Sequence, residues 1–204
     1  SQNGSARHPW LICTPEDLAL LHNHPDAYFE LRADLDMTGI NWTPVASFSG
    51  HLDGKNHTIA NLQASIGLIN VIEQGGKVQN LKLTNAAITS YYIGGILAGT
   101  NRGTVEKVET SGIVDGRWDL GLLAGVNEGT IRHSSAKGTI RGDTNLGGIV
   151  ARNAAGGQIL HSHATAVISG NYYTGGIAAT NYGVIAHARA DGTIRASAGV
   201  HGGI

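Results

Sequence analysis

The strongest constraint on this chain is a repeat of about 26 residues that fills roughly its C-terminal two thirds. Each copy carries a glycine-rich segment that ends in an asparagine, and successive asparagines lie 26, 26 and 28 residues apart. These anchors are Asn101, Asn127, Asn153 and Asn181. No copy has apolar spacing long enough for a helix, and a single copy cannot bury its own apolar side chains. Stacked copies can, so the period predicts an all-β solenoid of short parallel strands, a β-helix.

The composition divides the chain into three parts. Four of the 30 glycines lie within residues 1–64, and all four prolines precede residue 45. We therefore expect a flexible N-terminus over residues 1–7, an N-terminal cap over 8–64 and β-helix coils over 65–204. The last copy begins at His201 and stops at the end of the chain. The coils are therefore expected to be truncated there, with an open C-terminal coil that either continues in a longer protein or self-associates with a second copy.

Local signals specify the cap. Thr14 followed by Pro15 is typical of a helix start, and Pro25 ends that helix. The Asp53-Gly54 pair lies between two short apolar segments, a pattern that favours a β-hairpin. The sequence thus predicts a cap of one short helix and one hairpin.

The repeat and the segment before it resemble a known family. Gly95–Val105 and Gly121–Ile131 are similar to GLUG-type repeats, which read roughly G-G-L-V-G-x-N-x-G-x-I. Two later copies depart from that pattern, with Ala151 and Ala179 where the family has glycine. Tyr28–Leu62 resembles the segment that often precedes such repeats.

This resemblance implies a right-handed parallel β-helix of about 26-residue coils. It also implies membership of large bacterial secreted or surface proteins: filamentous-haemagglutinin-like adhesins, autotransporter-type passengers and the accessory region of IgA-specific metallopeptidases. It carries no catalytic residue onto this chain. We therefore expect a non-catalytic segment of a secreted or cell-surface adhesin that serves as a rigid stalk and interaction surface. Its partner would be a glycan or protein on a host or neighbouring cell.

Charge and hydropathy argue against other partners. The formal net charge is −1, which leaves no basic excess to hold a nucleic acid or an anionic membrane. No run of 18 apolar residues is present, so membrane insertion is not expected. The single cysteine, Cys13, cannot form an internal disulfide. No cofactor is predicted.

Histidines recur at one position of the repeat. His133, His161 and His187 each lie two residues past the Val or Ile that opens the second segment of a copy, and His163 lies two further on. Stacked coils would place the four on one outer face. They are candidates for a transition-metal or anion site, since imidazole suits Zn, Cu and Ni. The alternative is a solvated polar ladder. Collinear imidazoles do not give tetrahedral order, so no metal is assigned.

The asparagine anchors form a second column. One interpretation is ligand binding along the rod. The interpretation that we prefer is a structural ladder, in which the turn amides bond the backbone and one another between coils.

Two short motifs are candidates for recognition. Tyr172-Tyr173 precedes the Gly-Gly of its copy, as Tyr91-Tyr92 does, so the two pairs are expected to line one edge. Arg141-Gly142-Asp143 spells an integrin-type tripeptide at a predicted turn, although glycine is already required there by the repeat.

Catalysis has weaker support. Polysaccharide cleavage needs two acids at a fixed separation, and the acidic residues of the repeat do not form one column. Cys13 with His22 or His24 offers a nucleophile and base, but its place beside Ile12 and a helix start favours a buried structural cysteine. The chain is predicted not to be an enzyme. The alternatives left open are a carbohydrate-binding or polysaccharide-cleaving β-helix and an accessory repeat region of a secreted protease.

Overall fold

The chain forms a parallel β-solenoid of about six turns with a spacing of about 26 residues, which confirms the predicted fold class. The computed structural model describes residues 2–197 and the backbone of residues 201 and 202. In the described residues, one short helix lies near the N-terminus, as expected.

The first strands are short. They are β1 (Trp10–Ile12), β2 (Tyr28–Leu31), β3 (Leu35–Asp36), β4 (Asn41–Trp42), β5 (Val45–Phe48), β6 (His51–Asp53), β7 (Thr58–Ala60), β8 (Gln63–Ala64) and β9 (Ile69–Ile72). The repeat region then contributes β10 (Lys77–Ser90), β11 (Ala98–Asn101), β12 (Thr104–Gly116), β13 (Trp118–Gly121), β14 (Ala124–Asn127), β15 (Thr130–Arg132), β16 (Ser135–Arg141), β17 (Thr144–Gly147), β18 (Val150–Asn153), β19 (Gln158–Leu160), β20 (His163–Gly170), β21 (Tyr172–Gly175), β22 (Ala178–Asn181), β23 (Val184–Ala186), β24 (Arg189–Ala196) and β25 (His201–Gly202).

The helical segment starts where the sequence predicts it. A 3-10 turn over Glu16–Ala19 runs into α1 (Leu20–Asn23). The carboxylate of Asp17 accepts the backbone N–H groups of Cys13 and Thr14, each at 2.9 Å, which ties the first turn to the preceding chain. Leu18 and Leu21 are fully buried and pack the helix against the solenoid.

Three sheets run along the solenoid, and every pair of named strands is parallel. The largest sheet contains β10, β12, β16, β20 and β24. The second has the order β5-β9-β11-β14-β18-β22, and the third has the order β13-β17-β21-β25. Val105 pairs with Ile131 and Ile131 with Ile159, so equivalent residues of successive coils stack in rows. These three side chains are fully buried, and burial of one such side chain is worth about 1.5–3 kcal/mol.

The predicted hairpin at Asp53-Gly54 is wrong. β6 and β7 do not pair with each other; both pair in parallel with β10. The N–H of Gly54 donates to the carbonyl of Gln79, and that of Asn56 to Asn80, so the turn bonds the next coil instead of closing on itself. A coil corner and a hairpin share the same turn residues, and only the strands stacked on them decide between the two.

Parallel stacking also extends into the predicted cap. β1 pairs with β2, β2 with β6 and β3 with β7, all N-terminal of residue 65. Within the segment expected to be flexible, Gly4 is buried and its carbonyl accepts the N–H of Tyr28 at 2.9 Å, so this segment is attached to the solenoid. Ser1 lies outside the described residues.

Two further expectations concern single positions. Cys13 is exposed, so the buried structural cysteine is a wrong prediction; the preceding residue, Ile12, is the one that enters the core at the end of β1. At the other end, His201-Gly202 pairs with Thr174-Gly175 as the start of another coil. Residues 203–204 of that copy lie outside the described residues. Of the described helices, none is long and apolar enough to cross a membrane.

Candidate functional site

The clearest cluster of chemically active side chains is a stack of imidazoles on the outside of the solenoid. The rings of His133 and His161 lie 5.1 Å apart with an interplanar angle of 8°, and those of His161 and His187 lie 4.7 Å apart at 4°. All three residues are exposed. We call them the histidine column. The structure therefore brings these three predicted residues together, one on each of three successive coils.

The column sits at a coil corner whose backbone is left-handed. His133, His161 and His187 have φ of 50°, 48° and 52°, and the equivalent residues of the two preceding coils, Asn80 and Lys107, have φ of 51° and 54°. Asparagine and histidine are enriched in this region among non-glycine residues, because a short polar side chain tolerates it. The sequence did not reveal that this column is also a column of left-handed corners.

Two buried serines, Ser134 and Ser162, form hydrogen bonds with the backbone at this corner. Ser134 follows His133 and is buried; its hydroxyl accepts the N–H of Val108 at 3.2 Å and donates to the carbonyl of Arg132 at 2.9 Å. The N–H of Ser134 in turn donates to Oγ of Ser162 at 3.2 Å. The bonds from Val108 to Ser134 and from Ser134 to Ser162 join successive coils at the residues next to His133 and His161. The spacing of the imidazoles is therefore set by the backbone and not by the rings themselves.

Basic residues flank the column. Two of its members, His133 and His161, line an open groove, the histidine groove, whose other lining residues include Asn56, Lys82, Lys107, Glu109, Ser135 and His163. His163 lies on β20, pairs in register with Ser135 and Arg189, and is exposed. The fourth predicted histidine therefore shares the groove but stands outside the stack.

In the part of the chain that the structure describes, no group of three or more His, Cys, Asp or Glu side chains is arranged to hold a metal ion. The imidazole planes of the column lie within 8° of parallel at 4.7–5.1 Å, whereas a structural zinc site needs four ligands in tetrahedral order.

The asparagine anchors form an internal ladder. Asn101 donates its side-chain N–H to Oδ1 of Asn127, Asn127 to Asn153 and Asn153 to Asn181, each at 2.8 Å. The first three residues are completely buried, and Asn181 is exposed. Each amide also bonds the backbone of its turn, as when Oδ1 of Asn101 accepts the N–H of Gly103. With their amide groups used in this way, the buried members are inaccessible to a ligand.

An aromatic cluster lies on another edge. The ring of Trp118 is 5.6 Å from that of Tyr91 and 5.3 Å from that of Tyr92, and the guanidinium of Arg117 lies 4.7 Å from the Trp118 ring. Arg117 also donates to the hydroxyl of Tyr91 at 2.6 Å. Tyr172 joins the same row, because Thr144 pairs with both Trp118 and Tyr172. The tyrosines were identifiable from the sequence, whereas Arg117 was missed, because its role depends on stacking between coils.

Tyr173 follows Tyr172 at a second left-handed corner. Its φ is 45°, close to that of Asp119 and Asn145 at the equivalent positions of the two preceding coils. Both tyrosines are about half exposed, at 48% and 49%. They are accessible to a partner, but one coil separates them from Trp118.

Arg141 of the Arg141-Gly142-Asp143 tripeptide ends β16, and Gly142 and Asp143 form the short bend that leads into β17. Its charged ends already have partners in the solenoid. Arg141 donates to both carboxylate oxygens of Asp115 at 2.7 Å, and Oδ1 of Asp143 accepts from Asn171 at 2.7 Å. The Asp115 carboxylate raises the pKa of Arg141. An integrin-type partner would have to replace these contacts.

Glu106 and Asp119, two carboxylates of the repeat, pair with basic side chains. Glu106 lies 3.1 Å from both Lys77 and Arg132, and its hydrogen bonds to Arg132 and then Lys77 lower its pKa. Asp119 contacts Arg152 at 2.9 Å. In the cap, the exposed Asp34 contacts the half-buried His57 at 3.1 Å, and the pKa of Asp34 is lowered by the Thr58 N–H and then by His57. None of these pairs is the two-acid arrangement of a glycoside hydrolase.

Comparison with known proteins gives similarity in sequence to Halomucin and in fold to solved structures. Halomucin of Haloquadratum walsbyi (strain DSM 16790 / HBSQ001) is 32% identical over 139 residues, which is 56% of this chain and 2% of Halomucin. The chain thus spans a very small part of that protein. No family model matches the chain.

Solved structures of β-solenoid chains resemble this one in fold. One is a proposed immunoglobulin A1 protease from Bacteroides ovatus. It superposes with a TM-score of 0.70 at 19% sequence identity, and the match covers 98% of this chain and 86% of the Bacteroides chain. The other, IgA1 Protease, gives 0.75 at 20% identity and covers 96% of this chain and 20% of its own. At these identities the likeness establishes the fold alone.

Proposed function

We propose that this chain is a non-catalytic solenoid segment, built of GLUG-type repeats, in a bacterial secreted or cell-surface adhesin. It acts there as a rigid stalk that presents side chains to a glycan or protein on another cell. The observation that supports the stalk role best is the buried asparagine ladder, which links four successive coils through 2.8 Å side-chain bonds in addition to the strand pairing.

The comparisons support the location. Similarity to Halomucin and to immunoglobulin A1 protease chains is consistent with an extracellular or surface protein. The ion-paired carboxylates of the repeat support the absence of catalysis, because an acid held by Arg or Lys is a poor proton donor at neutral pH.

Hydrogen exchange tests the stalk. We expect the amides of β12, β15 and β19 to exchange slowly and at similar rates, because each of these strands lies between two neighbours. Substitution of Asn127 by Ala should accelerate exchange on several coils, whereas substitution of the exposed Asn181 should act locally. Fast exchange throughout β12–β19 in the unsubstituted chain would contradict a rigid stalk.

An activity assay tests the non-catalytic assignment. The chain is incubated with immunoglobulin A and with a panel of plant and bacterial polysaccharides, and we expect no cleavage product. A product that disappears when Asp34 is replaced by Asn, and persists when the control Asp36 is replaced by Asn, would overturn the assignment.

A second candidate is the accessory repeat region of a secreted protease. The specific observation in its favour is the fold similarity to IgA1 Protease, of which this chain covers 20%. In that case catalysis belongs to other parts of the parent protein. Joining the chain to a catalytic region should then change KM for the protein substrate without changing kcat, because a stalk affects capture and not chemistry.

A carbohydrate-binding module is the third candidate, supported by the cluster of the exposed Tyr91 and Tyr92 with the half-buried Trp118. Exposed aromatic rings present an apolar face beside polar groups, here Arg117. Trp118 fluorescence during titration with neutral oligosaccharides measures this directly. A shift that is lost in the Tyr92→Ala variant, and kept in Tyr182→Ala, would favour this function.

A further inference from the structure

Basic side chains without carboxylate partners are concentrated in the histidine groove. Most cations of the solenoid are in ion pairs, among them Lys77, Arg102, Arg132, Arg141 and Arg152. The basic groups of the groove and the column differ from these, because among the described residues they form no ion pair within 4.0 Å. They are Lys82, Lys107, His133, His161, His163 and His187. Most cations in other parts of the solenoid thus have a carboxylate partner, whereas several basic side chains along this groove do not.

The uncompensated groups are arranged in a line. Lys107, His133, His161 and His187 occupy the same corner of four successive coils, with the imidazoles 4.7–5.1 Å apart. The coils themselves repeat every 4.8 Å or so along the axis. A ligand that meets all four groups must therefore be extended and must carry negative charge at several points along its length.

Other charged groups surround the column on neighbouring strands. Lys82 and Glu109 face the groove from β10 and β12, and His163 faces it from β20. Arg189 on β24 is next to His163 and is bridged to Asp191 at 2.8 Å. Asp34 in the cap interacts electrostatically with Lys82 at longer range. Glu109 is thus the one carboxylate among the described lining residues of the groove, against two lysines and three histidines.

Protonation changes this balance. Histidine is the side chain whose charge ordinarily changes in the physiological pH range, and the rings of the column lie about 5 Å apart. Like charges at that separation repel one another, and the backbone hydrogen bonds of Ser134 and Ser162 hold the corners in place. A polyanion laid along the column would relieve the repulsion, so protonation and binding favour each other.

We propose that the histidine groove binds a linear anionic polysaccharide, carboxylated or sulfated, and that acidification strengthens the binding. This inference rests on the interaction-surface part of the proposed function and identifies its partner class. It is independent of the stalk role, because hydrogen exchange measures the stalk without any polysaccharide.

The charge density favours a polysaccharide over nucleic acid. Duplex DNA carries one negative charge per 1.7 Å or so of its axis, roughly three times the density that one basic group per coil can match. Among the residues that the structure describes, the groove lining contains no Tyr, Trp or Phe on which bases would stack. A polysaccharide with one charge on each sugar or on alternate sugars fits the line better.

The test uses the full 204-residue chain with heparin as the sulfated probe, polygalacturonate as the carboxylated probe and dextran as the neutral control. Binding is measured by isothermal titration at about pH 5.5 and about pH 8, which bracket the imidazole titration. We expect at least one polyanion to bind about tenfold more tightly at the acid pH, the gain that two or three weak surface ion contacts supply. Added salt should weaken the binding, and dextran should not bind.

The key variant replaces His133, His161 and His187 together by Asn, which is uncharged and already occupies this corner at Asn80. It should lose most of the pH dependence and bind at about pH 5.5 nearly as weakly as the unsubstituted chain does at about pH 8, with His163 the one imidazole left among the described lining residues. Replacement of Lys107 by Asn should weaken binding at both pH values. His8→Asn, in the cap, is the matched control and should change nothing. Should the triple variant melt early, His161→Asn and Lys107→Asn provide the same comparison.

Three outcomes would overturn the proposal. One is that neither polyanion binds at the acid pH. Another is that the triple variant binds as the unsubstituted chain does. The last is that single-stranded DNA of similar length binds more tightly than both polysaccharides, which would assign the groove to nucleic acid. Binding of heparin alone or of polygalacturonate alone supports the proposal and assigns sulfate or carboxylate as the recognised group.

Discussion

The side-chain N–H of Asn127 donates a 2.8 Å hydrogen bond to Oδ1 of Asn153, and both residues are completely buried although they lie 26 residues apart. The same amide group also donates to the carbonyls of Gly129 and Gln158, at 3.1 and 3.2 Å, while its oxygen accepts from Asn101. One side chain thus connects three coils. Its loss affects polar groups that water cannot reach.

Replacing Asn127 by Ala should therefore be costly. Asn101 and Asn153 would each lose a buried partner, and an unsatisfied buried polar group costs about 1–3 kcal/mol. We expect the free energy of unfolding to fall by about 2–5 kcal/mol, measured by urea denaturation. Asn181→Ala is the control, because Asn181 is exposed and water can replace its bonds; its loss should stay near 1 kcal/mol. Equal losses in the two variants would argue against a buried ladder.

The glycine two residues after Asn127, Gly129, allows a second test of coil stacking. A Cβ at Gly129 would lie 2.2 Å from the carbonyl oxygen of Gly103 in the coil before it, which is backbone and cannot move aside. Gly129→Ala should thus lower stability by about 3 kcal/mol or more. At Gly156 φ is 87° and a Cβ would meet no atom within 4 Å, so Ala there should cost about 1 kcal/mol of backbone strain alone. Thermal melts of the two variants measure the difference.

Lys107 occupies the left-handed corner that asparagine or histidine occupies in other coils. Asn adopts this conformation more readily than Lys, so Lys107→Asn should stabilise the chain by about 0.5–1 kcal/mol. Lys137→Asn provides the control, because Lys137 is exposed on β16 with an ordinary strand backbone. A stability gain of the same size in the control would show that removal of positive charge, and not the corner, is responsible.

Glu106 gives a prediction for pH dependence. Arg132 and Lys77 lower its pKa in the folded state, so its ionised form stabilises the fold. That stabilisation is fully present above the ordinary Glu pKa of about 4.3 and is lost as the pH falls through the lowered folded-state pKa.

Glu106→Gln should accordingly be less stable than the unsubstituted chain by about 0.5–1 kcal/mol at neutral pH, a modest value because solvent screens the pair. The two should converge in acid. Unfolding midpoints measured across the acid range check this. Glu109→Gln on the same strand is the control, because Glu109 forms no ion pair within 4.0 Å among the described residues, and it should not reproduce the deficit at neutral pH. Persistence of the Glu106→Gln deficit at the lowest pH would contradict the ion-pair explanation.

Much of the fold was predictable because the repeat is regular. The asparagine period sets the length of a coil, and the apolar rows at Val105, Ile131 and Ile159 fall in register once that length is known. The Thr14-Pro15 helix start is a local signal and was also predicted correctly. The Asp53-Gly54 turn was misinterpreted, because its sequence suits a hairpin and a coil corner equally, and strands distant in the sequence decide which forms.

The candidate site was predictable only in part. The alignment of His133, His161 and His187 follows from the period, and their parallel stacking follows from the alignment. Their left-handed backbone could not be anticipated, because each residue adopts it only when a neighbouring coil bonds the corner. The partners of charged residues were likewise invisible, since Arg141 and Asp115 meet across 26 residues of sequence.

The sequence by itself determined that this chain is a stack of equivalent coils, because a period of about 26 with buried apolar positions allows each copy to cover the next. Only the tertiary structure decided which polar residues remain available to a partner. Burial makes the inner asparagines of the ladder inaccessible to a partner, and most arginines are held in ion pairs. The basic groups of the histidine groove stay available, because among the described residues they form no ion pair with a carboxylate. Those distinctions depend on distances between coils, and no local pattern of residues encodes them.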